Sequence, residues 1–194
     1  MTKKNLYIIS GCNGAGKTTL SYTILPDIIK CKEFINADEI AKGISPFQPE
    51  KIALEAGRIM LNRINELINN DESFAFETTL STKSYKNKIL EAKGKGYSIT
   101  LLFLWLKEVE LAKNRVKIRV SEGGHHIDEE IIERRYYRGI KNLFELYLQV
   151  VDSASIYDNS EGKFELMAQK LDTEEFIIFD QLGFNELKKQ YGKS

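Results

Sequence analysis

The sequence predicts an α/β fold with a mostly parallel sheet, and three observations predict it. Apolar runs of strand length alternate with helical patterns along the chain. The runs lack strict apolar–polar alternation, as expected of strands covered by helices on both faces. A glycine-rich loop closes the first run and opens a helix, as at the edge of a phosphate-binding sheet. The 194 residues suit one domain over 1–194 with a sizeable core, and a helical lid over about 107–135.

Taken in order, strands are expected at Asn5–Ser10 (NLYIIS), Glu33–Asn36, Ser73–Thr78, Tyr97–Leu106 and Ala154–Asp158. Between them, Pro49–Asn69 places Ile52, Ala56, Ile59, Met60, Ile64 and Leu67 on one helical stripe. Asp128–Val151 does the same with Ile132, Tyr136, Ile140, Leu143 and Tyr147. Asp128 suits an N-cap, and Glu129 and Glu130 suit the positive end of that helix. The tail, FELMAQKLDTEEFIIFD, reads as a hairpin, followed by a short helix near Leu182–Tyr191.

Composition narrows the function. Lys plus Arg equals Asp plus Glu, 28 each, so overall charge gives no drive toward nucleic acid, which is not expected as a partner. Cys12 and Cys31 have no paired spacing and read as reduced thiols of a cytoplasmic protein. The N-terminal apolar run ends in glycine too soon for a signal peptide or membrane span.

The chemistry starts at ISGCNGAGKTTL. Gly11-x-x-x-x-Gly16-Lys17-Thr18 is a complete P-loop pattern in its proper strand-to-helix context, so the expected architecture is a three-layer P-loop NTPase fold. The backbone of Gly11, Asn13, Gly14, Ala15, Gly16 and the following Thr19 would cradle phosphates at a helix N-terminus. Lys17 would reach the β- and γ-phosphates, and Thr18 is the candidate Mg²⁺ ligand.

Three further stretches bear on the phosphate acceptor. Asp38 follows the second strand, where a carboxylate can take a proton from an attacking hydroxyl; it also suits a helix N-cap before EIA. Glu39 reads as a first-turn helix charge. Glu77 ends the third strand and could hold a metal-bound water or the acceptor, with Thr78 and Thr79 as hydrogen-bonding neighbours or helix caps. Arg115 and Arg119 precede the hinge SEGGHH, and Arg134, Arg135 and Arg138 follow it. Two basic helices joined by glycines suit a lid whose arginines neutralise a transferring phosphoryl group, two of the five being expected to do so. His125 and His126 read as hinge or packing residues, since no third ligand is spaced to complete a zinc site.

Absent motifs exclude some P-loop classes: there is no Asn-Lys-x-Asp guanine reader and no LSGGQ segment. A phosphotransferase remains. Together GCNGAGKTT, INADEIAKGISP, FAFETTLST and GGHHIDEEIIERRYYRGIKNLFELY…IYDNS resemble the zeta toxin family, in its compact chromosomal branch, over Lys4 to Ser160. The best-known members are kinases that use ATP to phosphorylate UDP-N-acetylglucosamine and are restrained by an antitoxin. The resemblance therefore implies ATP and Mg²⁺ at Lys17 and Thr18, Asp38 as catalytic base, and Glu77 and Thr79 in the sugar-nucleotide segment. It also implies Arg119 and either Arg134 or Arg135 as lid arginines, and Asp158–Ser160, with Asn159, beside the adenine. Ser81 stands where the sugar-kinase toxins carry an arginine. Two other functions remain open at this stage. A polynucleotide or RNA-end kinase would need a basic groove, for which Lys83–Tyr97 offers a lysine-rich face; a nucleotide-controlled regulatory module would show little turnover.

Overall fold

The computed structural model describes residues 4–26, 29–171 and 175–192. Five strands run parallel: β1 (Asn5–Gly11), β2 (Glu33–Ile35), β3 (Phe74–Thr78), β4 (Ser98–Trp105) and β5 (Ser153–Asp158). β6 (Glu165–Lys170) and β7 (Phe176–Ile178) extend the sheet antiparallel, in the order β2-β3-β1-β4-β5-β6-β7. All five parallel strands fall where the apolar runs place them. The tail hairpin forms as expected between β6 and β7; residues 172–174 of the tail, like residues 1–3, lie outside the described residues.

The helices are α1 (Lys17–Ile24), α2 (Ala37–Ile44), α3 (Ala53–Asn69), α4 (Tyr85–Gly94), α5 (Val109–Ser121), α6 (Glu129–Asn142) and α7 (Gln181–Tyr191). The expected Pro49–Asn69 helix divides into a 3₁₀ turn, Pro49–Ile52, and α3. Ala56, Met60, Ile64 and Leu67 are buried, whereas Ile59 at the stripe's edge is 38% exposed. The expected Asp128–Val151 helix ends at Asn142 and continues as a π turn, Leu143–Tyr147, closed by Leu148 N–H to Leu143 O at 3.0 Å. That wider turn keeps both Leu143 and Tyr147 in the core. Asp128 holds the N-cap position of α6, but its side chain makes no capping hydrogen bond.

Strand alternation divides the core between the two sheet faces. Leu6, Ile8, Phe74, Phe76, Leu101 and Phe103 face the larger side, under α3, α4 and α6. Ile9, Ala75 and Leu102 face the smaller side, with Leu25 after α1. β1 lies between β3 and β4, and the chain crosses over it after β3, so the strand order switches at β1. Its C-terminal end is the crevice where open α/β sheets bind ligands. No helix among the described residues is long and apolar enough to cross a membrane.

Candidate functional site

Gly11 ends β1 in a conformation few side chains adopt (φ 141°), and a Cβ there would collide with the Leu104 carbonyl. Gly16 caps α1 in the left-handed region (φ 88°); a Cβ would stand 2.7 Å from Asn159 Nδ2. With a glycine cap and no acidic side chain in its first turn, α1 leaves its first N–H groups without a side-chain acceptor. Lys17 folds back into the loop, donating to Cys12 O at 2.9 Å with Nζ 3.6 Å from Glu77 Oε1. This concave set of backbone donors around a buried ammonium fits a polyphosphate.

The sheet register brings Glu77 to this loop, because Ile9 pairs with Glu77 and Ser10 with Thr78. Glu77 Oε2 accepts from Thr18 Oγ1 at 2.8 Å and from Asn36 Nδ2 at 2.9 Å. A threonine hydroxyl whose proton is already committed to a carboxylate keeps its lone pairs for a hard cation, so Thr18 and Glu77 suit Mg²⁺. The loop's own buried thiol, Cys12, is pushed up to about 11 by burial, against the pull of Lys17 and Arg115, so it stays protonated.

Asp38 differs from its expected alternative role. Asn36, not Asp38, caps α2, accepting from Asp38 N–H at 2.8 Å. Asp38 sits in the first turn instead, and its carboxylate is half-exposed and free to face the cleft. Asn36 was legible as a strong N-cap residue directly before the helix, but its second contact, to Glu77, needs the tertiary structure. Glu39 is the first-turn charge expected, paired with Lys42 at 2.8 Å.

The arginines separate clearly. Arg115 spends its guanidinium on Asn159 O and Ser160 O, both at 2.8 Å, tying α5 to the end of β5. Arg135 donates to Asn13 Oδ1 at 3.3 Å and faces Asp38, whose charge offsets part of the desolvation that lowers its pKa. Arg134 and Arg138 are exposed. The choice between Arg134 and Arg135 was partly readable: at 100° per residue, Arg135 lies within about 100° of the centre of the α6 apolar stripe and Arg134 at about 160°. Arg119 donates to His125 O at 3.4 Å and buries its Nε without a partner.

Thr78 and Thr79 cap no helix. Thr78 Oγ1 accepts from Leu80 N–H at 3.1 Å, and Thr79 Oγ1 pairs with Ser81 Oγ at 2.8 Å. Asn159 donates to Ala15 O at 2.9 Å from beneath the P-loop, which makes it a support of the loop in this structure. Two clefts meet at Asp38 and Arg135. One, of about 290 Å³, runs along Lys17, Glu77, Thr79 and Tyr85. The other, of about 710 Å³, lies between α2 with its following turn and the α5–α6 loop, lined by Lys42, Phe47, His125 and Ile127. His125, read from sequence as hinge or packing, therefore stands in the cleft beside Asp38.

The family model for zeta toxin matches residues 2–172. An uncharacterized protein of Haemophilus influenzae is 32% identical over 143 residues, 70% of this chain and 100% of that one. Among solved structures, a chain of the PezAT chromosomal toxin-antitoxin system of Streptococcus pneumoniae superposes with a TM-score of 0.68 at 17% identity, covering 100% of this chain and 88% of that one. A chain of the AvrRxo1-ORF1:ORF2 complex with ATP superposes at 0.75 and 14% identity; 95% of this chain is covered but only 63% of that one. The match spans the P-loop, Asp38, Glu77 and helices α5 and α6, so the chain belongs to the zeta toxin family of P-loop kinases.

Proposed function

We propose that the protein transfers the γ-phosphate of ATP to a hydroxyl of a small molecule. The observation that carries this reading is the meeting of two clefts at Asp38 and Arg135: a phosphate-side cleft containing Lys17, and a larger acceptor-side cleft under the lid. In this reading the P-loop amides and Lys17 bind the β- and γ-phosphates. Mg²⁺, held at Thr18 with Glu77 behind it, would neutralise charge on those phosphates. Asp38 orients the acceptor hydroxyl and takes its proton. Arg135, with Arg119 behind it on the lid, stabilises negative charge on the phosphoryl group in flight.

Acceptor contacts fall to Asp38, Thr79 and the larger cleft. A sugar nucleotide such as UDP-N-acetylglucosamine is the family-based candidate, with the pair Thr79–Ser81 in place of an arginine. ATP as donor is supported by the AvrRxo1 complex, and an antitoxin as partner by the PezAT system. The two free, buried cysteines fit a reducing cytoplasm. The lysine-rich helix carries counter-charges, Lys88 pairing with Glu91 at 2.9 Å and Lys93 with Asp152 at 2.8 Å, which weakens the case for an RNA-end kinase.

The test is ADP release from Mg-ATP across a metabolite panel that includes UDP-N-acetylglucosamine. One acceptor is expected to raise the rate, Asp38→Asn to lower that rise by about 10²-fold or more, and Lys17→Ala to abolish it. ATP binding with no metabolite raising the rate would overturn the small-molecule kinase reading.

A further inference from the structure

α5 ends in a turn that aims one histidine. Gly123 is left-handed (φ 92°), Gly124 N–H bonds Arg119 O at 2.8 Å and Gly123 N–H bonds Val120 O at 3.0 Å, the paired bonds of a Schellman ending. A Cβ on Gly124 would stand 2.8 Å from Arg119. The glycine pair thus reverses the chain and seats His125 against Arg119, with its side chain only 12% exposed.

The two ring nitrogens have different surroundings. Nε2 lies 4.0 Å from Asp38 Oδ2, while Nδ1 is buried with no hydrogen-bond partner. A buried N–H without an acceptor is costly, and the orphaned Arg119 Nε–H beside it makes a second such donor worse. The proton therefore belongs on Nε2, facing the carboxylate, with Nδ1 bare. The charged groups around the ring are Asp38 and Lys42 from α2, Glu50 from the 3₁₀ turn and Arg119 from α5. Burial pushes the imidazole below its ordinary 6.5, against Asp38 and with Arg119 and Lys42, which keeps it neutral near pH 7.

We propose that His125 is a positioning residue for Asp38: its Nε2–H binds one carboxylate oxygen and leaves the other for the acceptor hydroxyl. The inference rests on the reading of Asp38 as base. The 4.0 Å separation exceeds a hydrogen bond, and the α5–α6 loop carries His125 on the lid, so closure by about 1 Å completes the contact.

The experiment is NMR on the whole protein, free and with Mg-AMP-PNP. Long-range ¹H–¹⁵N spectra read the His125 tautomer and the chemical shift of its ring N–H in wild type, Asp38→Ala and Asp38→Asn. The expected result is a neutral Nε2–H ring at pH 7. With Mg-AMP-PNP the Nε2–H proton should move downfield as it binds the carboxylate; the move should be lost in Asp38→Ala and kept in Asp38→Asn, whose amide oxygen still accepts. An Nδ1–H tautomer, or the lack of an Asp38-dependent Nε2–H shift with Mg-AMP-PNP, overturns the inference even if Asp38→Asn abolishes ADP release. Conversely, ADP release indifferent to Asp38→Asn overturns the base assignment while the spectra still decide whether the pair exists.

Discussion

Glu77 lies in β3 and Asp38 in the first turn of the helix after β2, and their neighbours give the two carboxylates different surroundings. Glu77 is enclosed by Thr18, Asn36 and Lys17 beside the P-loop, whereas Asp38 faces the α5–α6 loop and the larger cleft. Their positions were legible because parallel sheets present strand ends at one edge. Their division was not, since it depends on which side chains the neighbouring helices bring. The arginines of α6 make the same point. Arg135→Ala should lower acceptor-dependent ADP release about 10²-fold or more, because its guanidinium faces Asp38 and Asn13. Arg134→Ala, on the exposed side of the same helix, should stay within about twofold. Initial rates at saturating Mg-ATP compare the two, and equal losses would remove Arg135 from its proposed role.

At the scale of elements, α6 and the turn after it brace the 79–82 segment. Asn142 of α6 donates to Leu80 O at 2.7 Å, and Tyr147, in the π turn after it, donates to Thr82 O at 2.6 Å. Leu80 is held in the left-handed region (φ 56°) by these contacts and by Thr78, a strain that persists because its surroundings over-determine it. Gly139 permits the approach: a Cβ would stand 2.6 Å from Thr79 O. Gly139→Ala should therefore destabilise the fold by about 1–3 kcal/mol in urea unfolding and displace the 79–82 segment, raising KM for the acceptor more than for ATP. An alanine variant with unchanged midpoint and unchanged KM values would show that the packing is looser than it looks. The sequence showed the α6 stripe, but a break into a π turn has no periodic signature.

Across the whole molecule, the C-terminal hairpin and α7 are part of the same body as the P-loop half. β6 pairs with β5, Phe184 and Leu187 are buried in the main core, and Gln190 accepts from Trp105 Nε1 at 2.8 Å and from Tyr136 OH at 2.9 Å. We propose on this basis that the chain is one cooperative domain. Phe184→Ala should cost about 3–5 kcal/mol and leave a single unfolding transition, with tryptophan fluorescence and far-ultraviolet circular dichroism coincident. Two separated transitions would make the tail an independent unit. The sequence by itself determined the strand–helix alternation, the P-loop, the carboxylates near the strand ends and the two arginine-bearing helices around the glycine pair, because each is written in local spacing and residue type. Only the tertiary structure decided that Asn36 also holds Glu77, that Arg115 ties α5 to the end of β5, and that His125 stands beside Asp38. Those outcomes depend on contacts between residues distant in the chain, with geometry set by helix docking on the sheet, which no short-range pattern encodes.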